Sequence, residues 1–524
     1  MEISVTAVLA GVRLQEKTAV ENPNKEALQS DSPTAIRPES DLNVWSCVAA
    51  AVLAAFYCAA SIYIASRHLF WFDELLTVHV AWLPDWMAIW KALAHAADGM
   101  SPTYDTVVRI SAKLFGHNEV AARLPSALAM AAGLLLTFDC ARRLTDGLHG
   151  LIALSVVTCS SVLYDGFGYL ARSYAIYFMF SAISLWVWVH TRDDKRSSAI
   201  LFGVVLFLGV LMHYYAVLLL VPYAVWEVSH WKPWQPPSPK LIAGILGVVV
   251  AAAILSPVAL SFSRRFSAGY WAPPSFLQLR ATFSEFFPDG LFLLGIAILW
   301  IILAGTKDGN VVLQPMQPGE SIGWLFLCIP LAGFILAKLK TNAFIPRYFV
   351  GTLPGIAVAL SCLLWRRFRH ACRISLGIFL LLVTWGVAKQ MNTVQHPESV
   401  NPFGEPFKME SVLSVEDPVR NEGKRFVVFS TGGLYIFAQY YSKHPEQCIL
   451  LLPPRIGRGW STTGLAVNLA PYYPMQFWKL DDLKQHARET ALIWPAQGTL
   501  DAMEQAGFKV ERRFFGPIEV TYLQ

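Results

Sequence analysis

Charge is scarce in this sequence. Of 524 residues only 15% are charged while 55% are hydrophobic, and the mean hydropathy is +0.43. A soluble globule needs more polar surface than that, so the chain reads as a polytopic membrane protein. A continuous basic stripe is also missing. The net charge of +5 comes from short clusters between apolar runs, which gives no footprint for nucleic acid. The eight cysteines are scattered, most of them in or beside apolar segments, and form neither a disulfide framework nor a zinc spacing. Internal repeats of the kind many transporters carry do not show. At the N-terminus Glu2 precedes a short apolar stretch and a long polar segment follows, so residues 1–43 read as a polar tail and not as a cleaved signal.

What is abundant is aromatic and apolar. Aromatic residues make up 13% of the chain, with 18 Trp and 18 Tyr, as suits rings placed at the two membrane interfaces. Val44–Ala65 holds no charge over 22 residues, enough to cross ~30 Å of hydrocarbon at about 1.5 Å per residue. Ten further apolar runs follow at 124–141, 148–163, 174–190, 199–212, 215–228, 241–262, 286–304, 322–337, 348–365 and 374–388. The expected architecture is α-helical, with about 11 transmembrane helices over residues 44–390. Several runs are short and must tilt or thin the bilayer to span it.

Residues 66–123 form a first loop too long and too aromatic to be a mere connector. Within it, Trp82, Trp86 and Trp90 recur every four residues, as on one face of a helix lying in the interface. Beyond Ala388 no spanning run remains. The strand-like runs "RFVVFS", "CILLL", "ALIW" and "GFKVERRFFGPIEVTYL" alternate with the helical stretches "GLYIFAQYYSKH" and "LDDLKQHARE". Residues 400–524 are therefore expected to be a small soluble α/β domain, entered through the Pro-rich segment around 396–412. Lys and Arg are too evenly shared between alternate loops to orient the chain. An odd number of spans nevertheless puts the first loop and the C-terminal domain on one side.

Polar residues collect at the span ends on that side. They are Asp73 and Glu74; Tyr104 in "SPTYD"; Asp165 in "LYDGFGY"; Arg172 and Tyr174 in "YLARSY"; His213 and Tyr214 in "HYY"; Arg264 and Arg265 in "SRRFSAGYW"; and Arg347 and Tyr348 in "IPRYF". Each has a plainer reading. Carboxylates cap helices, arginines snorkel, and tyrosines fill aromatic belts. Together they suit the transfer of a sugar from a lipid-linked phosphate. The planar Arg fork binds the phosphate leaving group. A carboxylate takes the proton of the incoming hydroxyl, or holds a divalent metal that does so. A single displacement would invert the anomeric centre, by analogy with glycosidases. His79 and His213 are available as metal ligands, but their spacing matches no metal motif.

"FDE" after the first span, "SPTY", "GHNEVAARLPSAL", "ARSY" and "PRYFVGTLPG" resemble, in order and position, the GT-C superfamily of membrane glycosyltransferases over residues 44–388. More narrowly they resemble bacterial relatives of the protein O-mannosyltransferases and the lipid A aminoarabinose transferase. The resemblance implies a polyprenyl-phosphate-linked sugar as donor, an extracytoplasmic acceptor, a bacterial inner-membrane location with the site and the C-terminal domain outside, and Asp73 as the catalytic carboxylate with Glu74 beside it. Two positions depart from the pattern. Met100-Ser101-Pro102-Thr103-Tyr104 stands where many relatives have His-Pro-Pro-Leu-Tyr, and Tyr174 stands where some carry an acid, so the metal stays an open question. The rival expectations are a transporter or flippase of lipid-linked saccharides, and a receptor or assembly protein.

Overall fold

The computed structural model describes residues 39–523, apart from 162–165, 192–194, 235, 267–269, 271, 287–294, 296–314, 370, 398–409 and 454–460. Asp165, the apolar run 286–304 except for 286 and 295, the tail up to residue 38 and most of the expected boundary segment lie outside the described residues. Six helices are long and apolar enough to cross a membrane: Val44–Ala65, Glu119–Leu144, Pro239–Phe266, Pro318–Thr341, Pro346–Phe368 and Cys372–Gln395. Four shorter apolar helices, Gly147–Thr158, Tyr174–His190, Arg196–Met212 and Tyr214–Ser229, coincide with four more of the expected runs.

In chain order the membrane part begins with α1 (Glu39–Ala65), and the first loop contributes α2 (Phe72–Ala81), α3 (Trp86–Ala94) and α4 (Pro102–Phe115). Then come α5 (Glu119–Leu144), α6 (Gly147–Thr158), α7 (Tyr174–His190) and α8 (Arg196–Met212). A 3-10 turn, Tyr214–Leu219, leads into α9 (Leu220–Ser229), and α10 (Pro239–Phe266) returns along α8. Glycine permits that pairing. A Cβ on Gly203 would stand 2.7 Å from the Ala243 carbonyl oxygen, and small residues let helix backbones approach in this way in a membrane.

The first loop is punctuated by its own side chains. Glu74, at the third position of α2, accepts the Trp71 N–H at 3.0 Å, half of the reciprocal capping pattern. Pro84 ends that turn, and the Asp85 carboxylate accepts the Ala88 N–H at 2.8 Å to start α3. Trp82 therefore belongs to the end of α2, and only Trp86 and Trp90 share α3, their rings 6.1 Å apart. The three-Trp stripe read from the spacing is broken by this cap. Ser101 caps α4 with Pro102 in its first turn. Gly116 (φ 92°) closes α4, and Asn118 accepts the Ala121 N–H at 2.9 Å to open α5. In "GHNE", then, one helix stops and the next starts.

The C-terminal part is a six-stranded sheet in the order β3-β2-β1-β4-β6-β5. β1 (Phe426–Phe429), β2 (Cys448–Leu451), β3 (Phe477–Trp478) and β4 (Thr490–Ile493) are parallel; β5 (Val510–Phe515) and β6 (Ile518–Leu523) form a hairpin that adds antiparallel to β4. The last strand-like run of the sequence is thus two strands, turned at Gly516 (φ 59°). Two helices of this part, α16 (Gly432–Tyr441) and α17 (Thr462–Leu469), face the first loop. Before the sheet run α14 (Leu353–Phe368) and α15 (Cys372–Gln395); before them lie α11 (Phe276–Phe286), α12 (Pro318–Leu325) and α13 (Cys328–Leu336).

Candidate active site

The two adjacent carboxylates at the start of α2 have opposite surroundings. Glu74 is fully buried. Its Oε1 accepts Arg123 Nε at 2.7 Å and the Ala171 N–H at 2.7 Å, and its Oε2 accepts Arg123 Nη2 at 2.6 Å besides the Trp71 N–H. Arg123 spends its remaining donors on the Ala65, His68 and Leu69 carbonyls at 3.1, 2.7 and 2.9 Å. All five of its N–H groups are engaged. Burial alone would raise the Glu74 pKa, but the charge and hydrogen bonds of Arg123 and the two backbone N–H groups outweigh it and hold the carboxylate below its usual range. Glu74 is therefore the bolt that fixes α2 to the end of α1 and to α5, and it supports its neighbour through the backbone.

Asp73 keeps about a fifth of its side-chain surface open, 21% against 0% for Glu74. Its Oδ2 accepts Arg347 Nη2 at 3.2 Å, and its backbone carbonyl accepts Arg172 Nη1 at 2.9 Å. Arg347 is nearly buried and donates through Nε to the Tyr174 hydroxyl at 3.0 Å, with its guanidinium over the Phe167 and Tyr174 rings. The arginine of "PRYF" and the tyrosine of "ARSY" thus come together on the aspartate of "FDE", from three distant parts of the chain.

Arg172 is committed to protein groups. Its Nη1 donates to the Thr77 hydroxyl at 2.9 Å and to Asp98 at 2.9 and 3.2 Å, besides Asp73 O. Asp98 is a buried residue that the sequence did not single out; it lies in "AADGM", which reads locally as a turn. Behind it Asp105 is buried, and neither of its oxygens has a hydrogen-bond partner among the described residues. Burial, then the charge of Asp98, pushes its carboxyl well above the usual range. Because the folded pKa exceeds the unfolded one, folding holds a proton that the unfolded chain loses above about pH 4, at a cost near 1.4 kcal/mol per pH unit up to the folded pKa. Asp105→Asn carries no such proton. Its melting temperature is expected to rise relative to wild type as the pH is taken above about 4, the gap widening until the folded carboxyl ionises, measured by thermal unfolding in detergent.

A cavity of about 160 Å³ has a lining that includes Met100, His213, Tyr214, Phe262, Tyr270 and Tyr348; Asp73, Arg347 and Tyr174 do not line it, and the link to them is Tyr348, next in the chain to Arg347, whose ring centroid lies 6.3 Å from that of Tyr174. At roughly 10–15 Å³ per water site it has room for about 11–16 waters, comparable to the heavy atoms of one monosaccharide ring with its hydroxyls. Tyr348 stacks on Tyr215 at 4.7 Å and shares a 3.0 Å hydrogen bond with Tyr270; His213 lies flat on Tyr177 at 4.9 Å, with Nδ1 accepting the Tyr215 N–H. Tyr214 donates to the Met100 carbonyl at 3.1 Å. The floor is aromatic, with hydroxyls at its rim.

Three sequence expectations change. Tyr104 is fully buried, 3.1 Å from the Ser126 hydroxyl, and does not line the cavity. Arg264 and Arg265, at the end of α10, do not line it either, Arg264 being exposed. Arg172 is held through Nη1 by Asp98 and the Asp73 carbonyl and does not line the cavity. His79 is also removed from the site. Its Nδ1 lies 2.7 Å from the Leu75 carbonyl and its ring packs on Tyr440 and Tyr473, while burial lowers its pKa to about 4. Among the described residues no three His, Cys, Asp or Glu side chains gather as a metal would require.

Known structures share this layout. The structure matches the crystal structure of ArnT from Cupriavidus metallidurans bound to undecaprenyl phosphate with a TM-score of 0.58 at 11% identity, over 91% of this chain and 97% of that one. The fold is of the GT-C type. Residues 99–260 match the family described as dolichyl-phosphate-mannose-protein mannosyltransferase, a stretch that runs through the GT-C helices α4 to α10. Among curated proteins, the chain is 26% identical over 384 residues to the undecaprenyl phosphate-alpha-4-amino-4-deoxy-L-arabinose arabinosyl transferase of Pseudomonas paraeruginosa, covering 65% of this chain and 66% of that protein. It is 27% identical over 274 residues to the protein of the same description from Erwinia tasmaniensis, covering 47% of this chain and 46% of that one. The chain thus spans between about half and two thirds of the length of these relatives. A GT-C fold explains why the polar residues sit at helix ends: the helices supply a frame, and the loops between them supply the chemistry.

Proposed function

We propose that this chain is an integral-membrane glycosyltransferase of the bacterial inner membrane, which moves a sugar from a polyprenyl-phosphate donor to an extracytoplasmic acceptor hydroxyl with inversion. The observation that carries this reading is the Asp73 carboxylate paired with Arg347 at 3.2 Å, with the neighbouring Tyr348 lining a cavity of about 160 Å³. Asp73, the partly open carboxylate, takes the proton of the incoming hydroxyl as the oxygen–carbon bond forms. The bond from the anomeric carbon to the phosphate oxygen breaks, and polyprenyl phosphate leaves with the electron pair. Arg347, backed by Tyr174, meets that growing charge. Arg172 and Asp98 fix the peptide that carries the base, and the tyrosines around Tyr348 stack against the sugar ring. The curated relatives are named for an undecaprenyl-phosphate-linked pentose, which supports the carrier lipid; pentose and hexose are both compatible with the cavity. Nothing among the described residues favours the flippase reading.

The test is release of polyprenyl phosphate by purified protein supplied with a panel of polyprenyl-phosphate sugars and an envelope-lipid extract as acceptor. Wild type is expected to turn over at least one donor. Arg347→Ala is expected to lower that rate about 10²–10³-fold, the size of losing one donor to a developing oxyanion. A folded wild type that releases nothing from any donor, yet scrambles such lipids across liposomes, refutes the reading.

A further inference from the structure

We infer that the C-terminal α/β part is a positioning element for α2, seating the helix that carries Asp73. A docking module for the acceptor would leave that helix alone. The inference rests on the glycosyltransferase reading only for the role of Asp73; the contacts themselves are independent of it. α2 is ten residues long, too short to hold its shape without tertiary support. Its buried side is bolted by Glu74 and Arg123. Its other side is covered from α16 and from the segment after α17.

At the entry of α2 the Tyr441 hydroxyl accepts the Phe70 N–H at 2.8 Å and donates to Glu119, at the start of α5, at 2.8 Å. At its far end the Tyr473 hydroxyl donates to the His79 carbonyl. Between these two pins the Tyr440 ring packs against Phe70, His79 and Trp82, with centroids 5.7, 5.9 and 5.4 Å away. Asn468 adds a 3.0 Å hydrogen bond to the Ala96 carbonyl, two residues before Asp98. Tyr441 ends the helix that follows β1, and Tyr473 lies shortly before β3. Both phenols therefore hang on connections between strands of one parallel sheet. Few arrangements hold both ends of a short helix from a single rigid body, and a shift of about 1 Å in a reacting group can cost about a hundredfold in rate.

The experiment compares full-length wild type with Tyr441→Phe, Tyr473→Phe, the double variant and Tyr435→Phe. Tyr435 accepts the Gln476 N–H at 2.8 Å within the C-terminal part and serves as the control for general loosening. Expected are kcat losses of about tenfold in each single clamp variant and about a hundredfold in the double, with acceptor KM unchanged and Tyr435→Phe near wild type. Hydrogen exchange of the amides of residues 75–81 is expected to quicken in the clamp variants and not in Tyr435→Phe. Unchanged exchange there, or a rise in acceptor KM with kcat intact, overturns the inference. A wild type inactive with every donor overturns the functional reading instead, and the exchange measurement still judges the clamp.

Discussion

Asp73→Asn is expected to lower the rate of sugar transfer about 10²–10⁴-fold, the span attributed to a positioned general base, while the protein folds and binds polyprenyl phosphate as before. The expectation follows from how little the fold depends on this side chain. Its one side-chain hydrogen bond shown here is the 3.2 Å contact to Arg347, which an amide oxygen still accepts. The backbone carbonyl that Arg172 holds is untouched. Single-turnover release of polyprenyl phosphate, read beside a binding isotherm for the product lipid, separates chemistry from binding. Normal turnover in the amide variant would remove Asp73 from the reaction and leave Arg347 without its proposed partner. Asp73→Glu is the informative companion. It keeps the base and moves it by about one methylene, so partial activity would say that placement, and not charge alone, limits the rate.

Breaking the pair beneath it has a different consequence. Arg123→Ala leaves the Glu74 carboxylate wholly buried with its cation gone and releases three carbonyls from their donor. Removing one member of a buried ion pair costs about 3–5 kcal/mol, a large share of the roughly 5–15 kcal/mol that holds a typical domain together. The variant is expected to melt far below wild type and to be recovered in low yield from the membrane. Since Glu74 titrates below its usual range when folded, its contribution is complete above an unfolded pKa of about 4.3 and is lost as pH falls through the folded value. Thermal unfolding curves of wild type and Arg123→Ala should therefore converge as the pH is taken down through that range. A melting temperature close to wild type at neutral pH would show that the pair is not what fixes α2.

Much of this site was legible because membrane helices leave few places for charge. Asp73, Arg347, Tyr348 and His213 each follow or precede an apolar run, and the structure gathers them. The sequence could not sort Asp73 from Glu74, since adjacent residues on a helix point about 100° apart and only the surroundings decide which is buried. Arg123 was hidden for a similar reason. In "EVAARLPSAL" it looks like a basic residue at a span end, and its partner lies 49 positions away. Asp98 looked like a turn residue until Arg172 arrived from 74 positions on. Tyr104 and Arg172, both chosen for their place in short motifs, sit off the cavity because the motifs have local work: "SPTY" caps and packs a helix, and "ARSY" carries one bolt and one support for Arg347. The three-Trp helix failed at Pro84 and Asp85, where local capping overrode the four-residue spacing.

The hydrogen bonds between Tyr441 and Phe70 and between Tyr473 and His79 join residues 371 and 394 positions apart. During synthesis at about 5–20 residues per second, the loop bearing Asp73 leaves the ribosome roughly 20–80 s before its clamps exist. For that interval the membrane helices can insert and pair while the base is still unseated. Until the sheet folds, the helix that carries Asp73 lacks both of these pins, and its final seating comes late in one step.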